Sequence, residues 1–224
     1  MQRYVMFGHS NLFGDYVETV HALGGYVGKV VVNVPDPDAN SKKSFADRLQ
    51  NYCEWVGRQG QHLSPVIEQL DDFRPVPGDH YFVGFRGSQI TPLCERLKQQ
   101  YELPIASLIH PSAVVSPTAT LGEGVIVNAN ATVASGASLG DFVLVNRGAT
   151  LGHDTRLATF TSIGPGANLA SFVETGDGSI VGIGATVIEH ISLGAGCYVA
   201  AGAVVIHDVE PHALVAGVPA KLKK

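Results

Sequence analysis

An imidazole and a carboxylate stand side by side at His153 and Asp154, in the stretch ATLGHDTRLATF that runs from Ala149 to Phe160. Histidine is the side chain used most often to take or give a proton in a reaction near neutral pH. The chain has nine histidines, and a surface histidine without a role is the ordinary alternative. What sets His153 apart is its carboxylate neighbour and its place in a repeat.

Aliphatic residues recur every six positions from Ile109 to Val205, and Thr175 is the one exception among these seventeen positions. A second series, four residues after the first, consists mostly of small residues from Ala113 to Val209. A helix would need a period of 3.6 residues and a simple strand a period of two. A period of six with a bulky and a small inward position predicts a β-solenoid, in which three hexapeptides form a triangular coil of about 18 residues.

Glycine and asparagine are frequent at the position directly after the aliphatic one. We expect a tight corner that needs a permissive backbone at this position. The residues concerned are Gly122, Asn128, Gly140, Asn146, Gly152, Gly164, Gly176, Gly182 and Gly194.

The repeat also gives His153 a geometric neighbour. His153 follows Leu151 by two residues, so its side chain should point outward, and Ser171 follows His153 by one full coil. Stacked coils lie about 4.8 Å apart, so a backbone N–H near Ser171 would lie above the imidazole. A carbonyl group between the two would meet a base on one side and a hydrogen-bond donor on the other, which is the arrangement that acyl transfer to an amine needs.

The first hundred residues show a different pattern, in which apolar strands alternate with helical segments. The predicted strands are RYVMFG, VGKVVVNV and HYFVGF, and the predicted helices are LFGDYVETVHAL, SFADRLQNYCEWV and SQITPLCERLKQQY, with Ser44 as the cap of the second helix. The alternation predicts a small parallel α/β domain over residues 1–106, followed by the solenoid over residues 107–224.

Gly8 follows the first strand and lies at the start of the first helix. Backbone amides at such a turn, together with the helix N-terminus, can hold a phosphate group. The motif is not GxGxxG, because only Gly8 and Gly14 are present, so a tight turn without a ligand is an equal alternative.

Composition and charge limit the classes of function. The net charge is −5 and no run of Lys or Arg is present, which argues against a nucleic-acid partner because phosphate backbones require a basic surface. The N-terminus shows no signal-peptide pattern, and the longest apolar strand-like run, VVVNV, is too short for membrane insertion. Three widely spaced cysteines predict reduced thiols and a cytoplasmic location.

Three motifs give the chain a family resemblance. They are Gly8-His9-Ser10 after the first strand, Gly217-Val218-Pro219-Ala220-Lys221 near the C-terminus, and Asn146 followed, after six intervening residues, by His153-Asp154. With the hexapeptide repeats, these motifs make the chain resemble the sugar O- and N-acyltransferases that acetylate nucleotide-linked amino sugars or sialic acids. The resemblance implies a Rossmann-like N-terminal domain, a left-handed parallel β-helix, a homotrimer, acetyl-CoA as co-substrate and a role in surface polysaccharide or glycan synthesis.

The resemblance also assigns roles to residues. It implies that His153 is the general base with Asp154 as its partner, that a next-coil amide stabilises the oxyanion, and that Asn146 lies near the acceptor sugar. The residues implied to contact the nucleotide sugar are Gly8, His9, Ser10, Asn33, Gly84, Phe85 and Arg86. The residues implied to line the path of acetyl-CoA between subunits are Ser162, Ser171, Ile183, Ala201, Pro219 and Lys221.

The sequence departs from the family pattern at three places. Asn33-Val34 stand where relatives often carry acidic residues, the segment 35–79 is longer, and Ser162 stands where a second histidine often contacts the coenzyme. The identity of the nucleotide base and the details of the nucleotide contacts are therefore open.

We expect acetyl transfer from acetyl-CoA to the amino group of a nucleotide-linked amino sugar, and three alternatives remain. Transfer to a hydroxyl group of a sialic-acid-type sugar would use similar chemistry. A zinc hydratase, like the trimeric β-helix carbonic anhydrases, would use His207 and His212, but His190 lies one residue out of the column of His153, so we expect no metal. A solenoid that serves only assembly would bind no acyl-CoA.

Overall fold

The computed structural model describes residues 1–33, 43–60, 63–84 and 90–223. Within it the chain forms two compact units, Met1–Ala106 and Ser107–Lys224. Two residues of the predicted nucleotide-sugar site, Phe85 and Arg86, lie outside the described residues.

The N-terminal unit is built from one parallel sheet and three helices. Its elements are β1 (Gln2–Phe7), α1 (Phe13–Ala22), β2 (Gly25–Val32), α2 (Phe45–Arg58), β3 (Val66–Gln69), β4 (His80–Val83) and α3 (Ile90–Tyr101). The strand order is β3-β2-β1-β4, so β1 pairs with β2 on one side and with β4 on the other. The pattern of the sequence did not predict β3, because this edge strand exposes Val66 and Ile67 and has no buried apolar run.

The centre of this unit follows from β1. Val5, Met6 and Phe7 are fully buried, as expected for a central strand covered on both faces. The predicted cap of α2 is confirmed, because the Ser44 side chain accepts a hydrogen bond from the backbone N–H of Asp47 and the Asp47 carboxylate accepts one from the backbone N–H of Ser44. Hydrogen bonds from the Ser44 side chain and backbone hold the pKa of the Asp47 carboxyl below its usual value.

The C-terminal unit is a coil of short strands, each paired in parallel with the strand 18 residues later, as Leu144 pairs with Ser162 and Ser162 with Ile180. A last strand adds to the end in antiparallel orientation. The strands are β5 (Leu108–Ile109), β6 (Val114–Val115), β7 (Thr120–Leu121), β8 (Ile126–Val127), β9 (Thr132–Val133), β10 (Ser138–Leu139), β11 (Leu144–Val145), β12 (Thr150–Leu151), β13 (Arg156–Leu157), β14 (Ser162–Ile163), β15 (Asn168–Leu169), β16 (Glu174–Thr175), β17 (Ile180–Val181), β18 (Thr186–Val187), β19 (Ser192–Leu193), β20 (Tyr198–Val199), β21 (Val204–Val205), β22 (Leu214–Ala216) and β23 (Lys221–Leu222).

These strands form three sheets. Sheet 1 contains β5, β8, β11, β14, β17, β20, β22 and β23; sheet 2 contains β6, β9, β12, β15, β18 and β21; sheet 3 contains β7, β10, β13, β16 and β19. The first corner leads from sheet 1 to sheet 2, the second from sheet 2 to sheet 3, and the third from sheet 3 back to sheet 1. In one coil these corners are residues 146–148, 152–154 and 158–160, and the same corners recur every 18 residues. The three-sided coil confirms the predicted β-solenoid.

Both inward series of the repeat are buried in one continuous core. Thr175, the exception in the aliphatic series, is accommodated by hydrogen bonds inside this core. Its hydroxyl oxygen accepts a bond from the Ala158 N–H at 3.1 Å and lies 2.9 Å from the Thr161 hydroxyl oxygen. A buried hydroxyl group with such partners carries little desolvation penalty.

The expectation of a permissive backbone directly after each aliphatic residue is wrong. The left-handed backbone lies two residues later, for example at Gly136 (φ +68°), Gly148 (+64°) and Asp154 (+57°). Gly152 is needed for space instead, because a Cβ atom there would lie 2.5 Å from the backbone nitrogen of Ser171. The coils stack too closely to admit a side chain at this position.

No helix within the described ranges is long and apolar enough to cross a membrane.

Candidate active site

His153 and Asp154 lie at the second corner, in the turn between β12 and β13. The imidazole Nδ1 and the carboxylate Oδ2 of Asp154 are 2.9 Å apart, a hydrogen-bond distance, and both side chains are about half exposed, at 52% and 51%. When Nδ1 carries the ring hydrogen, it donates to Asp154 and leaves Nε2 as an acceptor. The pair can therefore present one fixed imidazole nitrogen to a proton donor.

Ser171 occupies the equivalent position one coil later. The backbone N–H of Phe172 donates to the carbonyl oxygen of His153 at 3.1 Å and so holds the two turns together. The backbone N–H of Ser171 lies directly beside Gly152 and donates to no backbone carbonyl of the described chain. The corner thus combines an exposed imidazole with an adjacent N–H that can bind a developing oxyanion.

Sequence reasoning missed Phe172 as part of this site. Its ring is perpendicular to the His153 ring, with centroids 5.1 Å apart and an angle of 87°. On its other contact it stacks on His190, at 4.9 Å and 5°. The signal was present in the sequence, because Asp154, Phe172 and His190 follow one another at intervals of 18 residues.

Asn146 lies at the first corner, so one chain does not bring it together with His153. Asn146 is only 6% exposed. Its side-chain oxygen accepts hydrogen bonds from the Arg147 N–H at 2.8 Å and from the Asn128 amide at 3.1 Å. These contacts give Asn146 a structural role within its own chain.

The residues predicted to contact acetyl-CoA lie on several parts of the coil. Ser162 is a half-buried residue of sheet 1, whereas Ile183 and Ala201 are exposed at the first corner. Pro219 and Lys221 are exposed in the C-terminal segment. Of the predicted coenzyme residues, the structure places Ser171 beside His153 and the other five elsewhere in the chain.

In the N-terminal unit, the carboxyl ends of β1, β2 and β4 bring four predicted residues to one edge of the sheet. Gly8 has a left-handed backbone (φ +68°), and a Cβ atom at Gly84 would collide with the side chain of Met6 and lie 3.3 Å from the Gly8 oxygen. The Ser10 hydroxyl donates to the Gly84 oxygen at 3.1 Å and accepts the Leu12 N–H at 3.3 Å. The turn after β1 is therefore locked to the end of β4.

Two further predicted residues differ in what they present. The side-chain oxygen of Asn33, after β2, is buried and has no hydrogen-bond partner among the residues that the structure describes. The ring of His9 is 3% exposed and stacks on Phe45 of α2, with centroids 4.0 Å apart. Asn33 thus presents an unused acceptor, whereas the His9 ring packs inside the unit.

In the described part of the chain, no group of three or more His, Cys, Asp or Glu side chains is placed to hold a metal ion.

The chain is similar over its whole length to solved acetyltransferases. A variant of perosamine N-acetyltransferase from Caulobacter crescentus, in complex with CoA and GDP-perosamine, is 27% identical, with 100% of this chain and 98% of that chain covered and a TM-score of 0.79. The acetyltransferase domain of PglB from Neisseria gonorrhoeae, in complex with acetyl coenzyme A, is 29% identical over 99% of both chains, with a TM-score of 0.78. WeeI from Acinetobacter baumannii is 18% identical over 100% of both chains, with a TM-score of 0.75, and shows the fold alone. No protein-family model and no curated protein sequence matches the chain.

The similarity covers both units of the chain, and the three parallel sheets fit the left-handed β-helix of such acyltransferases. The turn at Gly8-His9-Ser10 and the pair His153-Asp154 lie where the resemblance of the sequence puts them, after β1 and at an outward corner of the coil. The chain therefore belongs to the hexapeptide-repeat sugar acyltransferase family.

Proposed function

We propose that the protein transfers the acetyl group of acetyl-CoA to the amino group of a nucleotide-linked amino sugar. The observation that carries the proposal is the second corner, where the His153–Asp154 pair lies beside the backbone N–H of Ser171. Support for the two substrates comes from the similar enzymes solved with CoA and GDP-perosamine and with acetyl coenzyme A.

The mechanism uses the three groups in order. Nδ1–H of His153 donates to Asp154, so Nε2 accepts a proton from the attacking amine. The amine nitrogen bonds to the thioester carbonyl carbon, and the Ser171 N–H stabilises the negative oxygen. The C–S bond then breaks, and the proton held by His153 passes to the leaving thiolate. The products are the amide and the free CoA thiol.

We propose that a homotrimer completes the site. The outward residues of sheet 1 and sheet 2 carry no charge, whereas sheet 3 carries Arg156 and Glu174, 3.8 Å apart. Sheets 1 and 2 meet at the first corner, so this corner and its flanking faces suit burial against other copies. Packing of this kind would bring Asn146, Ile183 and Ala201 of one subunit to His153 of another, and Ser162, Pro219 and Lys221 would line the rest of the acetyl-CoA path.

We assign the nucleotide part of the sugar to the N-terminal unit. The order β3-β2-β1-β4 is that of a Rossmann-like half, with its switch point between β1 and β4. Gly8 and Gly84 flank this point and leave room for a phosphate to approach the backbone. The unused oxygen of Asn33 is suited to accept a hydrogen bond from a ribose hydroxyl, the role that an acidic residue has in many such folds.

The reducing cytoplasm is the compartment that we propose. Cys53, Cys94 and Cys197 are all free, and burial raises the pKa of the Cys197 thiol. Unpaired and buried thiols of this kind fit a reducing environment.

The test of the function is release of free thiol from acetyl-CoA in the presence of UDP-, dTDP- and GDP-linked amino sugars. We expect release with at least one amino sugar and an N-acetylated product by mass spectrometry. Silence across the panel, from folded protein, would overturn the proposal. Release only with a sialic-acid-type acceptor would identify an O-acetyltransferase instead.

The role of the base is tested by His153→Ala. We expect kcat to fall by about 10²–10⁴-fold, which is the usual contribution of a general base. The matched control is His207→Ala, at the same corner position three coils later, which should keep wild-type activity. A loss of less than about threefold in His153→Ala would place the base elsewhere.

A further inference from the structure

Gly136 lies directly beneath Asp154 on the second corner, one coil earlier. A Cβ atom at Gly136 would lie 2.5 Å from Oδ1 of Asp154 and 3.3 Å from its carboxyl carbon. Real Cβ atoms do not approach another heavy atom so closely. The Asp154 carboxylate thus occupies the space that a side chain at position 136 would fill.

This contact is exceptional among the glycines with the same backbone. Five glycines at equivalent turn positions have a left-handed φ of +63° to +67°, and a Cβ atom on any of them would meet nothing within 4 Å. They are Gly148, Gly166, Gly178, Gly184 and Gly202. At those five positions the backbone angle alone favours glycine, whereas at Gly136 the neighbouring side chain requires it as well.

The backbone around Gly136 has little freedom to move away from a new side chain. The Gly136 N–H donates to the Thr118 hydroxyl oxygen at 3.1 Å, and the Asp154 N–H donates to the Ser135 carbonyl oxygen at 3.0 Å. Both peptides are therefore fixed to the coil before them. The group that can move is the Asp154 carboxylate, by rotation about its side-chain bonds, and such a rotation breaks the 2.9 Å contact with His153.

We propose that Gly136 is a positioning residue of the reaction, which acts by leaving the space that keeps the Asp154 carboxylate on Nδ1 of His153. The proposal rests on the proposed function for its kinetic readout only. It separates Gly136 from the other turn glycines, because a side chain there disturbs the site more than it disturbs the fold.

The first experiment compares Gly136→Ala with the matched control Gly178→Ala at the third corner. Both variants put alanine into a left-handed backbone, so both should lower the melting temperature by a similar amount, about 2–4 °C. Only Gly136→Ala should lower kcat, by about tenfold, the effect of losing one hydrogen bond to a charged group. Equal kcat values in the two variants would overturn the proposal.

A second pair removes backbone strain from the comparison. Asparagine adopts the left-handed conformation readily, as Asn130 does in this coil with φ +58°. Gly136→Asn should therefore fold as well as Gly178→Asn but lose activity as Gly136→Ala does. Wild-type activity in Gly136→Asn would contradict the role of the space above Gly136.

A double-mutant cycle tests whether Gly136 acts through Asp154. In the Asp154→Ala background the carboxylate is absent, so Gly136→Ala should cause no further loss of kcat. Multiplication of the two single losses in the double variant would show that Gly136 acts by another route and would overturn the proposal.

A last readout does not depend on turnover. The ¹⁵N shifts of the His153 ring, assigned with His153→Ala, report which nitrogen carries hydrogen. We expect Nδ1–H in the wild type and in Gly178→Ala, and its loss in both Gly136→Ala and Asp154→Ala. An unchanged ring in Gly136→Ala would overturn the proposal even if no acceptor sugar is found, whereas an inactive wild type would count against the proposed function alone.

Discussion

At the scale of single residues, the site depends on a turn position that most amino acids avoid. Asp154 has φ +57°, a conformation in which short polar residues and glycine are tolerated. At this position its carboxylate reaches the imidazole of the preceding residue, at 2.9 Å. The chain therefore places a charged hydrogen-bond partner next to the base without any long-range loop.

Phe172 is the residue whose contribution we expect to be smaller and still measurable. Its ring contacts the His153 ring edge to face at 5.1 Å, and an aromatic pair of this kind is worth about 0.5–1.5 kcal/mol. Phe172→Leu should loosen the imidazole and lower kcat by about 2–10-fold, with the substrate KM values little changed.

The control for Phe172 is Phe160→Leu. Phe160 has the same backbone conformation, with φ +61° against +60°, and stacks on Phe142 at the third corner, away from His153. The two variants should lose similar stability, as measured by thermal unfolding. If Phe160→Leu lowers kcat as much as Phe172→Leu does, the contact with His153 is not the cause.

At the scale of elements, the stacking of coils decides which glycines are needed. Gly152 has an ordinary φ, but a Cβ atom there would lie within 2.8 Å of three backbone atoms of the next coil. Backbone atoms cannot rotate away as side chains do, so the coils themselves must separate. We expect Gly152→Ala to lower the free energy of unfolding by about 3 kcal/mol and to displace the Ser171 N–H.

Gly178→Ala gives the opposite case, with a strained backbone and open space. It should cost about 1 kcal/mol. Denaturant unfolding of the two variants measures the difference directly. A larger loss in Gly178→Ala than in Gly152→Ala would show that backbone angle, and not coil stacking, determines where this solenoid needs glycine.

The sequence predicted the coil well because one spacing, repeated from Ile109 to Val205, specifies period, inward faces and stacking together. It predicted the outward position of His153 for the same reason. It did not predict the function of Gly152, because a glycine chosen for space and one chosen for φ look alike in a sequence. It also missed Phe172, since an exposed aromatic residue has meaning only once its ring is seen against His153.

At the scale of the whole molecule, charge divides the faces of the coil. The outward side chains of sheet 1 include Ile180 and Tyr198, which are 40% and 44% exposed, whereas sheet 3 carries Arg156 and Glu174. Exposed apolar side chains on an uncharged face favour association. The charged third face suits contact with water.

Ile180→Glu tests this division. Placed on sheet 1, the carboxylate would be buried without a partner in every subunit contact of the trimer, which costs several kcal/mol and favours dissociation. We expect sedimentation to show the mass of one chain and the acetyl transfer to be lost, because one chain alone does not bring Asn146 to His153. Ser138→Glu, on sheet 3 beside Arg156, is the control and should keep both the oligomer and the activity. A fully active trimer of Ile180→Glu would show that sheet 1 faces water and that the subunits meet on another face.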